Sequence, residues 1–201
     1  MLSKAEQTRQ RIIETVAPLF NQYGYAATSM ADITKAVGMT KGAIYGNFEN
    51  KEALAIAAFN YNIRKVMHDM QRDLNQHSSP IKRVHASLDY FARYGNYIAE
   101  AGGCPIVNIG IDANNNNERL LERVQDGINK LQKGMCKELQ AAVDAGELSD
   151  TLPIQPTARY FYTTIQGAVF MTMTMKQDDY LSQAVQFLKQ YLHPYEQPTT
   201  A

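Results

Sequence analysis

Apolar residues in this chain recur at three- and four-residue steps almost from end to end, and that spacing predicts helices and little else. In residues 4–23 the stripe is Ala5, Ile12, Val16, Leu19, Phe20 and Tyr23, and Gly24 follows as a C-terminal stop needing positive φ. Ser29 with Asp32 reads as a capping box for a short helix over 30–36, which Gly38 ends. Thr40 can cap a third helix, 41–47, and Asn50 a longer one running to about residue 75 with Leu54, Ala58, Tyr61, Val66 and Met70 inward. Ser79 and Pro80 open a helix that reaches Ala101 before Gly102-Gly103 break it. Cys104-Pro105 starts a shorter helix to Ala113, and Asn114–Asn117 read as a polar loop. A long helix carrying Leu120, Val124, Leu131, Leu139 and Val143 ends at Gly146. Two more follow, about 156–176 and 178–193, and the tail 196–201 is expected to be disordered. No strand pattern and no repeat interrupts this, so the fold class expected is all-α.

Charge then separates the two ends. The 20 basic and 20 acidic side chains cancel overall, but residues 1–65 hold eight basic and five acidic ones. A basic end beside an acidic remainder fits one surface that meets nucleic acid. The polar start, MLSKAEQTRQR, has no apolar run behind it, so no signal peptide is expected, and no stretch approaches the ~20 apolar residues of a membrane span. The two cysteines, Cys104 and Cys136, have no metal-ligand spacing and read as reduced thiols of a cytoplasmic protein. His85 and Asp89 share a helix face at i,i+4, but no third ligand accompanies them, so no metal is expected. No Ser-His-Asp order, P-loop, GxGxxG or HExxH occurs, and neither catalysis nor a cofactor is predicted.

Two short helices joined by a tight glycine turn behind a longer helix are the parts of a helix-turn-helix. Ile33, Val37, Ile44 and Phe48 are spaced to bury against the first helix. Lys41, Gly42, Ala43, Tyr45 and Asn47 are then left outward, with small residues that permit close approach and polar ones that suit phosphates or base edges.

Residues 24–54, GYAATSMADITKAVGMTKGAIYGNFENKEAL, resemble the signature of the TetR family of transcriptional regulators. Gly24, Thr28, Ile33, Gly38, Gly42, Tyr45, Phe48, Lys51 and Leu54 all fall on its pattern. Gly46-Asn47 departs from it, where many members have a bulkier residue followed by His. The resemblance implies a head over residues 1–50 and a larger effector-binding and dimerisation domain over 51–195. It implies that Thr28 and Ser29 set the second helix against a phosphate, that Thr40, Lys41, Ala43 and Tyr45 read DNA with Gly42 allowing close approach, and that Asn47 and Lys51 hold its backbone.

The implied partners are double-stranded DNA with a palindromic operator, a small-molecule effector, and a second copy of the chain paired through residues 156–193. Candidate effector contacts are Tyr94, Cys104, Phe161, Phe170 and Met171, the last three in a helix dense in Met and aromatic residues. That density also suits a helix buried on one face by the core and on the other by a partner subunit. The expected function is a ligand-responsive repressor. The alternative is an electrophile- or redox-sensing repressor switched through Cys104, whose place at a helix start favours the thiolate.

Overall fold

The computed structural model describes residues 3–198, and among these it is helical without a strand. The described residues form ten α-helices: α1 (Lys4–Ala27), α2 (Met30–Val37), α3 (Lys41–Tyr45), α4 (Lys51–Leu74), α5 (Pro80–Ala92), α6 (Tyr94–Ala101), α7 (Pro105–Asn116), α8 (Glu118–Asp144), α9 (Ile154–Met175) and α10 (Asp179–Leu192). They fall into two compact units. Unit one holds the residues up to Lys65 together with Ile98–Gly127, and unit two holds Val66–Tyr97 together with the chain from Ile128 onward.

In unit one, α1 buries Ile12, Ile13, Val16, Ala17 and Phe20. The buried stripe lies one position to the side of the expected one, so Ala5 and Tyr23 are exposed, Tyr23 at 57%. Gly24 kinks the last turn of α1 with φ 78°, and a Cβ there would lie 2.9 Å from the Asp112 carboxylate, so only glycine fits. Both halves of the Ser29–Asp32 capping box are present at the start of α2.

A buried amide cluster ties the helices of unit one together. Asn21 of α1 is fully buried, and its Nδ2 donates to the carbonyls of Ala101 and Gly103. Its Oδ1 accepts from Asn62 of α4 at 2.9 Å, and Asn62 also donates to the Ala17 carbonyl. Asn108 of α7 donates to the Asn21 carbonyl. One α1 residue thus bonds to α4, to the α6–α7 turn and to α7.

In unit two, the helix expected to run from residue 80 to 101 is broken at Arg93 (φ −101°, ψ 4°) into α5 and α6. The Arg93 N–H bonds back to Tyr90, and its guanidinium takes the Asp89 carbonyl that would have continued the helix. A second difference lies in unit one. Asn114, Asn115 and Asn116 extend α7 rather than forming a loop, with Asn116 reaching back to Asp112, and only Asn117 leaves the helix to cap α8 through Leu120 N–H.

α10 packs against α9 and α5, burying Leu181, Val185, Leu188 and Leu192. The start of the tail expected to be disordered, Glu196 and Gln197, is held in place. Glu196 bridges to Leu148 and bonds His85, and Gln197 N–H donates to the Glu147 carbonyl; residues 199–201 lie outside those described.

Asn21→Ala strips donors from two buried carbonyls and an acceptor from Asn62. Each buried polar group left unpaired costs about 1–3 kcal/mol, so the variant should lose about 2–3 kcal/mol of stability. Chemical denaturation reads this as a lower midpoint at unchanged slope.

Candidate functional site

The first constellation is built on the shortest helix. Gly38 ends α2 in the left-handed region (φ 69°), which turns the chain so that the Thr40 hydroxyl can accept from Ala43 N–H and cap α3. Ile44 anchors α3 and is fully buried, as are Ile33, Val37 and Phe48 to within a few per cent. Thr40, Lys41, Gly42, Ala43 and Tyr45 remain exposed on one surface, with the Lys41 ammonium 5.7 Å from the Tyr45 ring centroid. A Cβ on Gly42 would meet nothing nearer than the Thr40 hydroxyl at 4.0 Å, so the backbone there is open to close approach.

Other predicted members are held differently. Thr28 is buried and its hydroxyl donates to the Gly24 carbonyl at 2.6 Å, so its side chain belongs to the α1–α2 turn and not to the outer surface. Ser29 is exposed at the start of α2, its hydroxyl engaged with Asp32, whose carboxyl these bonds hold below the usual carboxylate range. Asn47 is half-buried; its Nδ2 donates to the Ala43 carbonyl at 2.9 Å and its own carbonyl receives Arg9. Lys51 opens α4 with its ammonium 4.5 Å above the Tyr25 ring. Partial burial pushes that ammonium down from the ordinary lysine value, and the Asp112 carboxylate pulls it back up. Arg9 was not legible in the sequence. It lies 4.1 Å over the Phe48 ring and bonds a carbonyl 38 positions away, which no local spacing announces.

The second feature is a cavity of about 140 Å³ within unit two. α4 contributes Met67, Met70, Gln71 and Leu74; α5 contributes Ser87 and Phe91. α8 supplies its stretch from Lys130 to Glu138, and α9 supplies Ala158, Phe161, Tyr162 and Ile165. Of the five residues expected at an effector, Phe161 lies on this wall. Tyr94 is one ring removed, edge-on to Phe91 with centroids 5.6 Å apart and stacked on Tyr97. Phe170 is 46% exposed and Met171 partly so, both away from the cavity. Cys104 belongs to unit one, where it precedes α7 and is 1% exposed. The methionines of α4 and α8 were missed because helix periodicity alone does not say which buried face meets a void.

His85 and Asp89 are engaged elsewhere, with Glu196 at 2.9 Å and Lys189 at 2.6 Å, and the described residues contain no cluster of three ligating side chains. No helix among them is long and apolar enough to cross a membrane.

Comparison with known proteins follows the same division. The pattern of the bacterial regulatory proteins, tetR family, matches residues 12–58, and that of the tetracyclin repressor-like C-terminal domain matches residues 80–188. A TetR-family regulator from Cytophaga hutchinsonii is 31% identical with TM-score 0.91, over 99% of this chain and 100% of its own. One from Chloroflexus aurantiacus is 33% identical with TM-score 0.91, over 97% of this chain and 98% of its own. The HTH-type transcriptional regulator YxaF of Bacillus subtilis is 32% identical over 100 residues, 49% of this chain; the match spans about half, 52%, of that relative's length. With both of its halves matched and whole-chain likeness above 30% identity, this chain belongs to the TetR family of bacterial transcriptional regulators.

Proposed function

We propose that this regulator is a ligand-responsive repressor: a homodimer that holds an inverted-repeat operator and leaves it when a small molecule fills the unit-two cavity. Residues 1–50 are the reading head, and 51–195 bind effector and partner. The observation that carries the proposal is the make-up of α4. One uninterrupted helix bears Lys51 at its first residue and Met67, Met70, Gln71 and Leu74 of the cavity wall in its second half. A ligand that displaces those four residues acts on the helix that also carries a DNA contact. The coupling such a device needs is about 1–3 kcal/mol.

Thr40, Lys41, Ala43 and Tyr45 read bases or phosphates, Gly42 permits the approach, Ser29 presents the start of α2, and Asn47 with Lys51 steadies the backbone contact. Burial of Cys104 favours reversible occupancy of the cavity over a thiol switch, because a closed thiol is poorly reached by electrophiles.

A dimer is supported by the outer face of α9. Pro156, Tyr160, Thr163, Gly167, Phe170 and Thr174 are exposed at alternating steps of four and three, the spacing of a helix-pairing seam. Phe187 of α10 is 53% exposed as well. Two heads related by a two-fold axis read half-sites about one helical turn apart, ~34–36 Å.

The test is selection of an operator from random DNA followed by salt titration. Lys41→Ala and Lys51→Ala should each weaken binding and lower the salt slope by about one phosphate contact. An unchanged slope removes that lysine from the contact.

Gly167→Arg should fold, since a Cβ there meets nothing within 4 Å in the protomer and the residue is exposed, but should place a charge in the seam. Light scattering should then find monomers, and operator affinity should fall with them. A Gly167→Arg protein that is dimeric and fully competent for DNA overturns the seam.

A further inference from the structure

The unit-two cavity changes character from floor to rim. Leu74, Phe91, Leu131, Phe161 and Ile165 form a buried apolar floor. Met67, Met70 and Met135 place three flexible, polarizable thioethers against the space, side chains that make favourable contacts with aromatic rings. The polar groups of the wall are largely committed. Ser87 donates to the Val84 carbonyl at 2.7 Å, Gln71 donates to Asn75 at 2.8 Å, and Glu138 is neutralised by Arg83 at 2.7 Å.

Two charges are left over. Lys130 and Lys137 lie two turns apart on the same face of α8, both exposed, and neither has a carboxylate within ion-pair distance among the described residues. Both residues line the cavity and both are exposed, so the rim carries unspent positive charge. The cavity's size, about 140 Å³, is close to that of an apolar cavity of about 150 Å³ that accepts benzene.

Taking the cavity as the effector site, as proposed above, we infer that it binds a single-ring aromatic carboxylate. The ring fills the Met- and Phe-lined floor, and the carboxylate stays at the rim between Lys130 and Lys137. A long acyl chain exceeds the volume. An aromatic amine brings its charge to the wrong rim. A neutral aromatic amide keeps the floor contacts and loses the charge pairing.

Gly134 supplies a variant that tests occupancy without harming the fold. It lines the cavity, and a Cβ on it meets nothing within 4 Å, so Gly134→Leu adds bulk at the wall without a clash at its Cβ while improving helix propensity. The experiment is calorimetric titration of the whole protein with benzoate, benzamide, benzylamine and decanoate. Benzoate should bind more tightly than benzamide, and benzylamine and decanoate should fail to displace it. The Lys130→Gln/Lys137→Gln double variant should lose about tenfold in benzoate affinity and nothing in benzamide affinity. Gly134→Leu should melt no lower than the parent and should no longer bind benzoate.

Equal affinity for benzoate and benzamide, or no benzoate binding at millimolar concentration, overturns the ligand class. So does a Gly134→Leu variant that retains benzoate. Release of the selected operator is measured separately. Cavity binding without release upholds the ligand class and overturns the effector reading, and release by a molecule that does not compete with bound benzoate likewise overturns the effector reading alone.

Discussion

The buried amide of Asn21 is the contact on which the arrangement of unit one depends. Apolar packing of Ile12, Val16 and Phe20 is tolerant of small rotations, because dispersion contacts have no direction. An amide with both ends engaged is not. Any slide of α1 along α4 or past the α6–α7 turn leaves the Ala101 and Gly103 carbonyls or Asn62 without partners in a dry interior. The same helix runs on to Gly24, whose conformation is forced by the Asp112 carboxylate, and that carboxylate also receives the Ala26 N–H. The direction in which the chain enters α2 and then α3 is therefore set from two sides of α1.

Much of this was legible because it is local. Ser29 with Asp32, Thr40, Asn50, and Ser79 with Pro80 announce helix starts through bonds three residues long, and Gly38 announces a stop through positive φ, whereas Gly24, expected to stop α1, only kinks it and the helix runs on to Ala27. Where the reading went astray, a longer contact decided. Arg93 breaks a helix with no glycine or proline at the break, through its guanidinium bonds to Asp89 and to Asp73 twenty residues back. The asparagines at 114–116 continue α7 although their propensity favours a loop. Tyr23 is exposed because the buried stripe of α1 is centred beside it.

The two candidate sites divide in the same way. The proposed reading surface lies within one span of about a dozen residues, 40–51, where a capping threonine, a buried Ile44 and a glycine leave few choices for what faces outward. The cavity draws on four helices between Met67 and Ile165. Which face of each helix meets a void depends on how the other three pack, so of the residues expected there Phe161 alone lines it. Lys130 and Lys137 carry no pattern that separates them from any other lysines on an amphipathic helix.

The brevity of α3 bears on how much information the protein extracts from a genome. On the proposed reading, four outward side chains, Thr40, Lys41, Ala43 and Tyr45, would distinguish at most about four base pairs, which singles out one site in about 256. In the proposed dimer, two copies on a palindrome would square that to one in about 65,000, while a genome offers about 10⁶–10⁹ competing positions. Base reading by α3 alone would therefore leave about fifteen matches unresolved even among about 10⁶ positions. The remaining discrimination has to come from the distance between half-sites and from how readily the DNA between them bends. In the proposed repressor, address and signal would then share one variable, since whatever resets the spacing of the two heads would also erase part of what they recognise.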